Sequence, residues 1–471
     1  MLSALLSIPM AGCAGFPSTD TSLPTPRSVD TLAAEHVLSG STKGRWPSDG
    51  WWAVYGDRQL NGLVEEGLAE ASDITAAKAR LERARAAIGV ARSMSLPSLE
   101  ARGKIDQERQ SYEYLIAEQA VPHGWNDAGL LLVDATWEID FWGKNRAALA
   151  AATSEAAAAE AEAAAARLLL SSAIVSGYAE FAGLEAERDA VRDAVSVRRR
   201  TLSLIEGRLA QALENEGARD RARSAEAASR AELAAMDEQI ALSRHRLAAL
   251  VGAGPDRGLR LARPRVIGER FTAVPAHLPM DLLGRRPDIS AARERVEAAA
   301  ARIEVAKAAF YPNVNLVGSL GRQSLGVDRL IDPGSTFGSF GPAVSLPIFR
   351  GGRLVAEKTA AEATYAEAVA TYDGTVVRAL REVADALVSK RQLRRRLADT
   401  IEAANAAERA WTVQSERYRG GLATHLEVLS AEEALISSRR AVAVLRARAF
   451  TLDIQMIRAL GGGWRTPEKA S

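Results

Sequence analysis

Side chains able to do covalent or metal chemistry are sparse in this sequence and badly spaced for it. There is one cysteine, Cys13, and five histidines, His36, His123, His245, His277 and His425, none at a metal-ligand spacing from another. A lone thiol makes no internal disulfide and completes no thiolate metal site. The chain carries no G-x-S-x-G, P-loop, G-x-G-x-x-G or H-E-x-x-H sequence. The expectation is therefore no catalytic residue, no metal and no cofactor, in a protein that is not an enzyme. With 60 basic and 59 acidic residues the net charge is +1, so no basic field favours nucleic acid.

Cys13 instead has a context. Residues 1–19 carry no charged side chain, and the small residues Ala11 and Gly12 directly precede the cysteine, as at a signal-peptidase site. The stretch after it, FPSTDTSLPTPRS, is rich in Pro, Ser and Thr and suits an extended tether. In the helical part, the longest uncharged apolar stretch, LLLSSAIVSGYA from Leu168, has 12 residues, too few to cross a bilayer as a helix. Any crossing must be made by strands.

The elements available for that are duplicated. Residues 73–97 and 288–312 align without gaps with 12 identities in 25 positions, each block opening on Asp (Asp73, Asp288) and closing on Pro (Pro97, Pro312). The acids suit the positive end of a helix and the prolines end it. After each proline the pattern repeats: strand, loop, strand, very long helix. Leu99, Ala101, Gly103 and Ile105 form one apolar file, and Leu131, Val133, Ala135, Trp137 and Ile139 another, each alternating with polar residues. In the second copy Val314, Leu316, Gly318 and Leu320, then Phe340, Val344, Leu346 and Ile348, repeat the theme. Each strand is near the length that a tilted membrane strand needs.

No proline occurs between Pro122 and Pro255 or between Pro347 and Pro467, and residues 147–166 include 14 alanines in 20. The spacing predicts rods of roughly 100 Å at 1.5 Å per residue, too long for a compact domain. The expected layout is a signal peptide (1–12) and a lipidated tether (13–45). A first repeat (46–254) has strands near 98–107 and 130–140, a long helix 144–212 and a return helix 219–251. A linker (255–279) leads to a second repeat (280–471), with a helix at 287–310, strands near 313–322 and 337–347, a long helix 353–419 and a return helix 425–460. The loops 108–129 and 323–336 are expected outside the membrane.

Four one-sided strands cannot satisfy their own edges in lipid, and even small closed barrels have about eight. Several chains must therefore share one barrel. Trp137, Trp142, Phe310, Tyr311 and Phe349 cluster where strands meet rods, the level of an interfacial girdle.

The segments WWAVYGDRQLNGLV (51–64), RRPDISAARERVEAAAARIEVAKAAFYPNVNLVGSLG (285–321), LPIFRGGR (346–353), RYRGGLATHLEVL (417–429) and ALGGGW (459–464) resemble those of TolC/OprM-type outer-membrane efflux lipoproteins, in the NodT-like branch. The resemblance runs in order along essentially the whole mature chain. It implies a mainly α fold with a transmembrane β-barrel portion, in which a homotrimer builds a 12-stranded barrel on an α-helical tunnel. It also implies docking on a periplasmic adaptor and an inner-membrane pump of resistance-nodulation-division or similar type, with outer-membrane lipid around the barrel. The Cys13 region is similar to a bacterial lipobox, with Met10 where Leu is usual, which makes Cys13 the acylated residue.

In such relatives the pore closes at the helical turns. RYRGGLATHLEV is that turn here: Gly420 and Gly421 break the helix, and Leu426 falls where relatives narrow the pore. Ser430 stands where they often carry an acid, and Glu427 is the nearest carboxylate, on a different face from Leu426. In the other turn Asn215 and Gly217 are expected to share the reversal. The basic runs 197–200 and 390–397 read as salt-bridged or solvated faces, against a basic belt in the lumen or an adaptor contact. Arg285, Arg286 and Pro287 are assigned to the fold. Two rival classes remain: a periplasmic adaptor, which would show one helical hairpin and Gly-rich lipoyl-like strands, and a poreless coiled-coil scaffold, which would show sustained heptads.

Overall fold

The computed structural model describes residues 23–28, 32, 46–114, 117–265 and 282–466. The signal peptide, Cys13, most of the tether and residues 266–279 of the linker lie outside the described residues.

In chain order the elements are α1 (Arg58–Glu70), α2 (Ser72–Ser93), β1 (Ser98–Glu108), β2 (Asn126–Glu138), α3 (Lys144–Ala210), α4 (Glu216–Leu250) and the single turn α5 (Asp256–Leu259). The second half gives α6 (Pro287–Ala308), β3 (Asn313–Leu325), β4 (Thr336–Ser345), α7 (Arg353–Arg419) and α8 (His425–Ala459). The duplication is metrical as well as topological. The rods α3 and α7 both have 67 residues, and the return helices α4 and α8 both have 35.

Several bounds differ from the sequence pattern, for identifiable reasons. β2 starts at Asn126, before 130, because Asn126 to Gly129 keep pairing with Glu108 to Ile105. β3 runs past 322 because Gln323 to Leu325 pair with Leu130 to Ala128. The tether segment is not free along its length: the Arg27 backbone N–H donates to Asp373 Oδ1 of α7 at 3.0 Å, and Leu32 packs on the apolar cluster between α6 and α7. Part of the linker is likewise docked, since Gln59 exchanges hydrogen bonds with both backbone groups of Ala262, at 2.9 and 2.8 Å.

The sheet is one antiparallel meander, β1-β2-β3-β4. The main apolar core lies midway along α3, where the return helices end: Ile174, Tyr178 and Phe181 pack with Leu60, Leu63, Leu247, Phe450 and Ile454. Polar anchors lock it. Asp57 caps α1 through the N–H groups of Gln59 and Leu60 and accepts from Tyr178 Oη at 2.7 Å. Burial pushes its carboxyl up, but the hydrogen bonds from Tyr178 and from backbone N–H groups outweigh it and hold Asp57 below the ordinary value. Fully buried Asp453 accepts from Tyr55 Oη at 3.0 Å and from Lys390 Nζ at 3.2 Å, so the first residue of the 390–397 basic run is a core ion pair.

Candidate membrane sheet and helical tips

Directly paired residues of an antiparallel sheet share a face. The register puts Leu99, Ala135, Gly318 and Phe340 in one row, and Ala101, Val133, Leu320 and Gly338 in the next. All four apolar files therefore form one continuous surface. It is uncovered: Leu99 is 76% exposed, Leu320 66% and Phe340 78%. The opposite face carries Glu100, Arg102, Lys104, Asp106 and Asp134, with Arg102 paired to Asp134 and Lys104 to Asp106. The outer strands β1 and β4 each have a single neighbour. A sheet greasy on one side, charged on the other and open at both edges is a barrel fragment whose outer wall suits hydrocarbon. No helix among the described residues is long and apolar enough to cross a membrane.

Where strands meet rods, Trp142 stacks on Tyr311 with centroids 4.7 Å apart and donates its indole N–H to Pro312 O at 2.8 Å. Trp137 donates to Ser95 O at 3.0 Å. Phe349 is open to solvent, and Phe310 is half-buried against the helix end. Leu346 and Ile348, expected in the fourth apolar file, lie beyond the end of β4 at Ser345 and are exposed at this level; the sequence reading missed Phe141, also exposed here, whose position just past the second apolar file was the available signal.

At the other end, the two turns are built alike. After α3, Leu213 N–H bonds Arg208 O at 2.9 Å, and after α7, Leu422 N–H bonds Arg417 O at 2.8 Å, the same helix-ending motif. The left-handed residue is Gly421 in one turn (φ 75°) and Ala212 in the other (φ 58°). Gly420 has an ordinary φ of −77°, and Asn215 caps α4, its Oδ1 accepting from Ala218 N–H at 2.9 Å. Gly217 takes no part in the reversal, because the chain has already turned at Ala212 and Gly217 lies in the first turn of α4. Ala212 carries strain that its counterpart avoids. Ala212→Gly is expected to stabilise the tip by about 0.5 kcal/mol, the left-handed penalty less glycine's entropy, and to slow amide exchange at Leu213 roughly twofold.

Leu426 is 58% exposed, and Ser430 is exposed one turn beyond it. Glu427 is engaged elsewhere: with Thr424 it forms a reciprocal capping box, Thr424 N–H donating to its carboxylate at 2.5 Å. Those hydrogen bonds hold its carboxyl below the usual range. As a helix cap it is unsuited to a cation-binding ring. Behind the turn, Tyr418 joins the hairpins, its Oη donating to Glu214 at 3.0 Å while Arg208 donates to its carbonyl at 3.1 Å. His425 is buried beside Tyr418, and burial keeps its imidazole below the normal value and thus neutral at pH 7.

A barrel fragment on paired rods of equal length defines an outer-membrane channel, and comparison with known proteins identifies the lineage. The outer membrane efflux protein model matches residues 63–253 and 278–462, and the chain belongs to that family. It is similar to the outer membrane protein VceC of Vibrio cholerae, with 44% identity, a TM-score of 0.84, and coverage of 89% of this chain and 100% of that one. Outer membrane protein OprJ of Pseudomonas aeruginosa is 31% identical over 88% of this chain and 86% of its own length. The pyoverdine export outer membrane protein OpmQ of the same species is 28% identical over 99% and 97%. The chain is accordingly an outer-membrane channel for efflux, and the adaptor reading is not favoured.

Proposed function

We propose that three copies of this chain close a 12-stranded barrel, four strands from each, on a tunnel of α3, α4, α7 and α8. The duct is passive: solutes enter from an inner-membrane pump of resistance-nodulation-division type through a periplasmic adaptor, and no side chain does chemistry on them. The observation that carries this reading is the sheet, whose apolar face is bare and whose two edges are unpaired in a single chain. Acylation of Cys13 supplements the barrel as an anchor, and the belt of Trp137, Trp142 and Tyr311 sets the membrane level. Leu426 is proposed to line the periplasmic aperture, with Ser430 above it contributing no charge.

The test is planar-bilayer recording on purified trimer. The wild type is expected to open rarely and to small conductance, because apolar side chains at a constriction exclude water and ions. Leu426→Ser is expected to raise mean conductance several-fold, roughly the effect of removing 1 kcal/mol of apolar closure per subunit. A protein that stays monomeric, or trimers silent in both forms, would refute the duct.

A further inference from the structure

The basic run at 390–397 is only partly absorbed by the fold. Lys390 lies in the core with Asp453. Arg395 and Arg396 are exposed, make no ion pair among the described residues, and line an open groove of about 820 Å³ between α7 and α8 with Arg448, Gln392, Ser437 and Asp399.

The groove's side of the wall follows from helix periodicity. Leu426, Ser430, Ser437, Ala441 and Arg448 fall on one stripe of α8 by steps of four and seven residues, so Arg448 stands on the stripe that ends at Leu426. It lies 22 residues from Leu426, roughly 33 Å up the helix. A different face of α7 and α8 forms, together with Ala186, Asp189 and Asp193 of α3, another groove that also includes Arg263 from the segment after α5. A connecting segment laid across the wall suits its outer side, and on that ground the Arg395 side, which shares its stripe with Leu426, is assigned to the lumen.

Resting on the duct reading above, we infer that Arg395, Arg396 and Arg448 form an anion-attracting collar in the tunnel. The collar makes the duct prefer solutes carrying carboxylate, phosphate or sulfate groups. Three arginines against Asp399 leave a net charge of +2 per chain in the groove, tripled around the axis. A narrow lumen with low-dielectric walls focuses such a field, and planar guanidinium groups pair with oxyanions through two hydrogen bonds. Glu433, on the same stripe, lies 15 residues below Arg448, roughly 22 Å, beyond the ≈ 8 Å screening length at physiological salt.

The experiment is the reversal potential of bilayer-reconstituted trimers across a KCl gradient. Wild type is expected to favour chloride. Arg395→Gln/Arg396→Gln/Arg448→Gln is expected to lower the chloride-to-potassium permeability ratio roughly threefold, and Asp399→Asn to raise it, both effects shrinking at high salt. If the triple variant fails to assemble, Arg448→Gln alone is expected to shift the ratio in the same direction. Conducting trimers whose ratio is the same in wild type and variants, or a wild type that favours potassium, overturn the collar and leave the duct intact. Absence of conductance from any trimer removes the duct and the collar with it.

Discussion

Gly461→Ala is expected to abolish assembly of folded protein in the outer membrane, a loss of about 4 kcal/mol or more. Three consecutive glycines end α8, all with positive φ: 86° at Gly461, 59° at Gly462 and 88° at Gly463. A Cβ on Gly461 would stand 1.9 Å from Arg285 O and 2.8 Å from Arg285 C, both backbone atoms of the segment that starts α6. Nothing there can rotate away, so α8 would have to separate from α6. The left-handed backbone adds about 1–2 kcal/mol for any residue with a Cβ. At Gly462 the contact is Leu168 Cδ1, the tip of a flexible side chain. Gly462→Ala is therefore the internal contrast: it suffers the backbone penalty without the backbone clash and should retain folded trimer. The measurement is heat-modifiable trimer on gels of outer-membrane fractions, and comparable yields from the two variants would show that close packing at Gly461 is not limiting.

That turn shows where sequence reasoning reached and where it stopped. Gly461 is legible as the residue that ends the return helix expected to 460, because glycine after a long Ala- and Leu-rich run has few other uses. Its contact with Arg285 is not, since the two residues are 176 positions apart and no local pattern encodes their approach. The apolar strand files were legible because a period of two survives without tertiary knowledge. Their fusion into one face depends on register, which only the pairing of Val133 with Leu320 and Ala101 supplies. At the tips, sequence favoured glycines as turn makers and so selected Gly217, whereas the left-handed residue is Ala212, a type that gives no such signal. Glu427 was read as the acid nearest the aperture. Its spacing from Thr424 was also that of a capping box, and the local hydrogen bonds prevailed.

Arg286→Ala is the second change with a large expected effect, about 3 kcal/mol, because it removes the buried cation, and its packed side chain, from a network whose two carboxylates are only partly exposed. Arg286 is 6% exposed. Its Nε and one terminal nitrogen donate to both carboxylate oxygens of Asp288 at 3.0 and 2.7 Å, and its other terminal nitrogen donates to Glu382 at 2.8 Å and Ala459 O at 3.1 Å. One guanidinium thus ties the start of α6 to the middle of α7 and the end of α8. Arg286→Lys should not rescue, since a single ammonium cannot span that planar fork. The pH dependence tests the charge component separately from packing. Burial pushes the Asp288 carboxyl up, but the guanidinium overrides it and holds the folded value below 3.8. A lowered folded value stabilises the protein above the unfolded value and is lost as pH falls through the folded one. Without Arg286 the same half-buried carboxylate has lost its nearest cation, its folded value rises, and the variant recovers stability on protonation. The gap in thermal midpoint between wild type and Arg286→Ala should accordingly be widest near pH 7 and narrow below about pH 4. A gap independent of pH would mean that Arg286 acts through packing alone.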